Sequence, residues 1–221
     1  MACSGVQLVL GYNRGEQAAH DCAAACREAG SDVDVVHIDL SDQESIEAFI
    51  DGLDTQPIDV LIHAAGAFAE VEWAQTDADH LRDQFMINAA GPALVTQGCE
   101  SRLKASRHRD GGCVIFFGDI HADMVPRGGA TGYLVSKSAT HALVKLLAIE
   151  MSPVRVYGIA PGVIGWPDDW PEERRKNYLT RVPLGRAGGP EDTVRLVRAL
   201  VDHAAYVTGM VIPLDGGRHL R

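Results

Sequence analysis

Several specialised signals are missing from this chain of 221 residues. Its five cysteines, Cys3, Cys22, Cys26, Cys99 and Cys113, have neither paired zinc spacing nor the density of a disulfide framework. Cys22 and Cys26, one helical turn apart, read as a shared packing face. The nine histidines are scattered and form no His-Glu-x-x-His motif, so no metal is expected. Basic residues are in deficit, 20 against 30 acidic ones, for a net charge of −10, which argues against nucleic acid or an anionic membrane as the main partner. There is no signal peptide and no apolar run of membrane-spanning length, so the cytoplasm is the expected location. Repeats, low-complexity stretches and internal linkers are also lacking, and one domain is expected over 1–221.

What is present is regular alternation. Val6 to Leu10 reads as a strand stopping at Gly11. Glu16 to Ala29 is an Ala-rich helix closed by Gly30. Val33 to Leu40 is a second strand, followed by Ser41-Asp42-Gln43-Glu44, read as a capping box that opens a helix to Gly52. Asp59 to Ala65 is a third strand. A long helical stretch from Ala78 to Leu103 should be bent or interrupted at Gly91-Pro92. Gly112 to Phe117 is a fourth strand, and a helix from about Tyr133 to Met151 follows. Val154 to Ile159 is a fifth strand. The charged, aromatic region within 164–186 reads as a flap, Pro190 to His203 as a helix and Met210 to Leu214 as a last strand. Strands alternating with helices predict an α/β, Rossmann-like, doubly wound parallel sheet.

Tyr133 and Lys137, four apart, share one face of their helix. An ammonium beside a phenol favours the phenolate, which would make the tyrosine an acid or base usable near neutrality. In such a sheet, strand ends gather at one edge where ligands sit. Gly11–Gly15, Asp39-Leu40, Ala64–Phe68, Gly118-Asp119 and Pro161–Ile164 are the segments expected there, and their small residues would let a flat cofactor approach the backbone.

These residues resemble the short-chain dehydrogenase/reductase family from Val6 to the end of the chain. Tyr133 and Lys137 match the family's catalytic Tyr-x3-Lys, and Asn88 matches the active-site Asn of Asn-x3-Pro. Asp39, with Leu40, matches the acidic residue of the adenine pocket. Ala64, Ala65 and Gly66 take the place of the family's Asn-Ala-Gly. Pro161-Gly162, with Ile164, matches the segment beside the nicotinamide, and Asp215-Gly216-Gly217 the C-terminal motif.

Within the family the chain is most similar to pteridine reductases and dihydromonapterin reductases. Asp119 falls near where most members carry a serine and that branch an aspartate, and Phe68 and Trp166 match residues facing the pterin. The resemblance implies NADPH as cofactor, a small-molecule, pterin-type substrate, and a homodimer or homotetramer. Tyr133 would donate a proton as hydride arrives, and Lys137 would lower its pKa and hold the nicotinamide ribose. Asn88 would position a proton-relay water, Asp119 would assist proton supply, and Arg14 would read the 2′-phosphate. A general carbonyl or 3-oxoacyl reductase is the alternative, and a non-catalytic remnant a third reading.

Three departures go with the resemblance. His63-Ala64-Ala65-Gly66 lacks two amides of the family's Asn-Asn-Ala-Gly. One extra residue lies between Asp119 and Tyr133, near 126–129. The opening strand and Gly-rich pyrophosphate turn are missing: Gly11-Tyr-Asn-Arg-Gly15 resembles the second strand's turn more than the first, and Glu16 puts a carboxylate at the phosphate end of the helix. On this alignment the first βα unit is absent from between the strands carrying Arg14 and Ala64. Either the reading frame starts earlier or the sheet closes in a shifted way, and the two neighbouring strands should expose backbone donors and apolar side chains.

Overall fold

Strand and helix alternate along the whole described chain, residues 4–221 of a computed structural model. Cys3 lies outside the described residues. The chain divides into two units, Met1–Thr55 and Gln56–Arg221.

In the first unit, β1 (Gln7–Tyr12) and β2 (Asp32–His37) run parallel, from Gln7 opposite Asp32 to Tyr12 opposite His37. Between them runs α1 (Glu16–Glu28), and α2 (Gln43–Gly52) follows β2. Gly30 ends α1 at φ 96°, a left-handed position that suits glycine. Ala23, Val33, Leu40 and Ile46 form the buried apolar centre. The expected capping box is corrected. Asp42, not Ser41, caps α2, accepting the Glu44 amide, while Ser41 donates its hydroxyl and amide to Asp39 Oδ1. An aspartate one residue nearer the helix offers the shorter reach, so Ser41 closes a turn on Asp39 instead.

The second unit carries β3 (Val60–His63), α3 (Ala78–Phe85), α4 (Gly91–Lys104), β4 (Cys113–Phe117) and α5 (Thr131–Glu150). After these come β5 (Arg155–Pro161), α6 (Glu172–Leu179), α7 (Pro190–His203) and β6 (Met210–Leu214). The four strands form a parallel sheet in the order β3-β4-β5-β6. Alternate residues serve opposite faces. Cys113, Ile115, Tyr157 and Ile159 pack on Val197, Leu200 and Val201 of α7. On the other face His63 stacks on Phe116, with ring centroids 4.6 Å apart, and bonds Thr96 of α4. A Cβ on Gly158 would lie 3.2 Å from Val144 of α5, so this glycine lets that helix sit close. β4 is almost wholly buried, and each such side chain contributes about 1.5–3 kcal/mol. Arg155, also buried, donates to the carbonyls of Leu200 and Val201 in the last turn of α7, where the helix dipole is negative.

All ladders are parallel, as the alternation predicts, but they form two sheets. Among the described residues β1 pairs only with β2, and β3 only with β4. Val9 of β1 is 43% exposed, and Val60, Leu61 and Ile62 of β3 are only half-buried, in contrast to β4.

Candidate active site

In the second unit the site is built where α5 passes the end of β4. Tyr133, Lys137 and His141 succeed one another at intervals of four, a row along one face of α5. Lys137 is buried and donates from Nζ to the Phe117 carbonyl at 2.8 Å. Two residues on, the Tyr133 hydroxyl donates to Asp119 Oδ2 at 3.1 Å. Asp119 Oδ1 accepts the His121 amide at 2.7 Å, so the carboxylate is held from both sides. Before Ala130, Gly129 of this loop takes φ 86°.

The expected influence of Lys137 on Tyr133 is corrected. Burial first, and then the Asp119 charge, push the phenol well above its ordinary range. The ammonium lies 5.7 Å from the centre of the tyrosine ring and is bonded elsewhere, whereas the carboxylate takes the O–H directly. Tyr133 is thereby kept protonated, the state a proton donor needs. Burial lowers Lys137 itself to about 8, with Asp119 partly opposing the change.

Asn88 sits in a π-helical turn, Met86–Ala90, between α3 and α4. Pro92 has no N–H to give to the carbonyl four residues earlier, which is that of Asn88. Thr140 of α5 fills the place, donating its hydroxyl to Asn88 O at 2.9 Å. The Asn88 side chain accepts from the Ala67 amide at 3.1 Å and donates to the Ala67 carbonyl at 3.0 Å. It also donates to the Gln84 carbonyl and side chain. The Asn88 side chain thus clamps the loop after β3. A Cβ at Gly66 would lie 2.8 Å from Asn88 Oδ1 and 3.4 Å from Lys137 Nζ, so only glycine fits there.

Other anticipated residues fall around this centre. Phe68, 55% exposed, meets the Tyr133 ring edge-on at 4.9 Å, with the Arg127 guanidinium 5.6 Å from its ring centre. Ala64 and Ala65 are exposed beside Gly66. Ile120 N donates to the Pro161 carbonyl, and a Cβ on Gly162 would meet Asp215 at 2.9 Å. Ile164 bridges to Gly188. The segment expected to act as a flap has a core of its own: Trp166, Trp170 and Tyr178 touch pairwise with ring centroids 5.8–5.9 Å apart, and Arg174 stacks on Trp170 at 4.1 Å. Tyr178 is buried and its hydroxyl accepts the Val163 amide.

In the first unit, Arg14 is exposed on the turn after β1. The Asp39 carboxyl is held below its ordinary range by hydrogen bonds from Ser41 and, more weakly, from the Asn13 side chain. His141, Thr140 and Gln84 were not anticipated. The i+4 row continuing from Lys137 was the available signal for His141. Among the described residues no cluster of His, Cys, Asp or Glu could hold a metal, and no helix is long and apolar enough to cross a membrane.

A family model described as Enoyl-(Acyl carrier protein) reductase matches residues 1–219. The chain belongs to the short-chain dehydrogenase/reductase family. It is 27% identical to an L-rhamnose 1-dehydrogenase (NAD(P)(+)) of Sphingomonas over 225 residues, 98% of this chain and 87% of the relative. It is 30% identical to a galactitol 2-dehydrogenase (L-tagatose-forming) of Cereibacter sphaeroides, covering 98% of this chain and 86% of the other. Acetoin dehydrogenase from Enterobacter cloacae superposes with a TM-score of 0.83 at 27% identity, covering 98% of this chain and 86% of that one. The fold is thus α/β and Rossmann-like, and the family's activity is oxidoreduction with a nicotinamide cofactor.

The second unit fits the nicotinamide-ribose end of that cofactor. Lys137 has two ammonium protons beyond the one given to Phe117, and Gly66 bares the backbone beside it. The pyrophosphate end fits less well, because α1 opens on Gly15 with no side-chain cap and carries Glu16 in its first turn.

Proposed function

We propose that this protein is a nicotinamide-dependent oxidoreductase interconverting a carbonyl and a secondary alcohol on a small molecule. The observation that carries the reading is the Tyr133 hydroxyl, protonated, bonded to Asp119 and standing beside the buried Lys137 ammonium and the exposed Phe68 face. A nicotinamide bound there would supply or take the hydride. Tyr133 gives its proton to the substrate oxygen during reduction, and Asp119, hydrogen-bonded to the same hydroxyl, assists resupply. Lys137 would hold the ribose. Asn88 and Gly66 fix the loop after β3, so that substrate and cofactor meet a rigid wall.

The names of the relatives, a rhamnose, a galactitol and an acetoin dehydrogenase, favour this carbonyl and alcohol chemistry over a pterin. A dihydropterin is the second reading, favoured by Asp119 near the serine position and by Phe68 against Tyr133. Steady-state assays with a hydroxyketone, a polyol, a 3-oxoacyl thioester and a dihydropterin, each with NADH and NADPH, decide between them. Turnover of the first three with none of the pterin supports the main reading. Selective turnover of the pterin replaces it.

Cofactor preference is proposed to rest on Arg14, which favours NADPH by a forked bond to the 2′-phosphate. Arg14→Ala should then weaken NADPH by roughly ten- to a hundredfold, as expected for a charge-assisted bond of about 1.5–3 kcal/mol, and leave NADH unchanged. Equal weakening of both, read by titration calorimetry, would place Arg14 in a pyrophosphate turn instead.

Assembly as a homodimer or homotetramer is also part of the proposal. An apolar groove of about 660 Å³ runs between α4 and α5, and Phe85 and Leu146 on it are 46% and 58% exposed. Leu146→Asp is expected to convert the wild-type oligomer to monomer at micromolar concentration, as measured by light scattering. A monomeric wild-type protein would refute the assignment.

A further inference from the structure

His141 takes part in none of the chemistry above, yet it is 2% exposed and lies on the same row as Tyr133 and Lys137. Its Nε2 accepts the backbone amide of Asp119 at 3.4 Å. An imidazole nitrogen that accepts an N–H is unprotonated, so the ring proton is on Nδ1. Nδ1 faces Asp123 Oδ1 at 3.1 Å, and this carboxylate, whose side chain is 48% exposed, takes that proton as a hydrogen bond. Asp123, the imidazole and the Asp119 amide thus form one line, in which the outer carboxylate sets the tautomer that the inner amide requires.

The surroundings agree with this function. A Cβ on Gly118 would lie 2.1 Å from His141 Nε2, so the residue before Asp119 is bare where the ring presses on the chain. Ser138, three residues before His141, donates to the Ala122 carbonyl at 2.8 Å, so the same helix grips the loop at a further point. Three successive turns of α5 therefore hold three successive features of the β4 end: the Phe117 carbonyl, the Asp119 amide and the Asp119 carboxylate.

We propose that His141, with its tautomer fixed by Asp123, is a positioning residue that sets the Asp119 carboxylate against the Tyr133 hydroxyl. The proposal rests on the reading of Asp119 as the partner of Tyr133. It predicts that His141→Leu lowers kcat by about tenfold or more, because a displacement near 1 Å can cost a hundredfold, while cofactor affinity changes little. In an Asp119→Ala background the same substitution should cost nothing further. Asp123→Ala, at a half-exposed position that leaves the core filled, should reproduce most of the kcat loss. Asp123→Asn, whose amide oxygen still accepts from Nδ1, should restore it.

The outcomes separate cleanly. Equal kcat losses from His141→Leu with and without Asp119 would mean a merely structural histidine and overturn the proposal. Wild-type kcat in Asp123→Ala would overturn it too, even if the His141 variant does not fold. If Asp119→Ala itself turns over like wild type, the reading of Asp119 fails, and the role of His141 falls with it.

Discussion

Tyr133→Phe is expected to lower kcat by at least about a hundredfold while leaving cofactor affinity within a few-fold of wild type. The substitution deletes one oxygen and keeps the ring that Phe68 meets edge-on. What is lost is the hydroxyl bonded to Asp119, and with it the proton that the substrate oxygen must receive. Because burial and Asp119 both hold the phenol protonated, the loss should be greatest for carbonyl reduction. Pre-steady-state measurement of the hydride step with and without the hydroxyl checks this. A hydride rate within a few-fold of wild type on a confirmed substrate would remove Tyr133 from the mechanism.

Lys137→Met should abolish most turnover and yet stabilise the fold. Burial lowers the ammonium from 10.5 to about 8, a difference worth about 3 kcal/mol against folding at neutral pH. The sign follows from proton counting. Between pH 8 and 10.5 the unfolded chain binds the proton and the folded one does not, so stability rises with pH across that window. The penalty is complete below pH 8 and gone above 10.5. Methionine fills similar volume without charge, at the loss of the bond to the Phe117 carbonyl, about 1 kcal/mol. A net gain of about 2 kcal/mol would raise Tm by roughly 4–8 °C at pH 7, and the gain should vanish by pH 10.5. In the wild type, kcat/KM should fall as pH rises through about 8, where the ammonium is lost. A variant that melts no higher than wild type at pH 7 would show that this lysine is buried without strain.

Much of this was legible in the sequence because periodicity and turn residues act locally. The strands, the long helix of Tyr133 and the stop at Gly30 follow from short-range rules, and the structure places them as read. Ser41 was misread because two neighbouring oxygens competed for one cap, and a one-residue difference in reach decided for Asp42. The sign of the Tyr133 perturbation was not legible. It depends on which of two charges reaches the hydroxyl, and Asp119 is fourteen residues away along the chain. The clamp of Asn88 on Ala67 spans 21 residues, and the donation of Thr140 to Asn88 spans 52. Such contacts exist only after the sheet has brought α4 and α5 to the same strand ends. The proline that creates the vacancy at the Asn88 carbonyl was visible, but the residue that fills it was not.

The aromatic cluster around α6 gives the protein a built-in optical reporter. Two of its three tryptophans, Trp166 and Trp170, lie there at 5.9 Å from one another, and the third, Trp73, is 72% exposed. Guanidinium groups against both indole faces, Arg174 at 4.1 Å and Arg175 at 5.8 Å, create a local field to which their emission responds. Any ligand that shifts α6 alters that field and the coupling of the two rings, while Trp73 contributes a steady, solvent-relaxed background. Ultraviolet excitation of the unmodified chain can therefore follow α6 during a titration, without an attached dye.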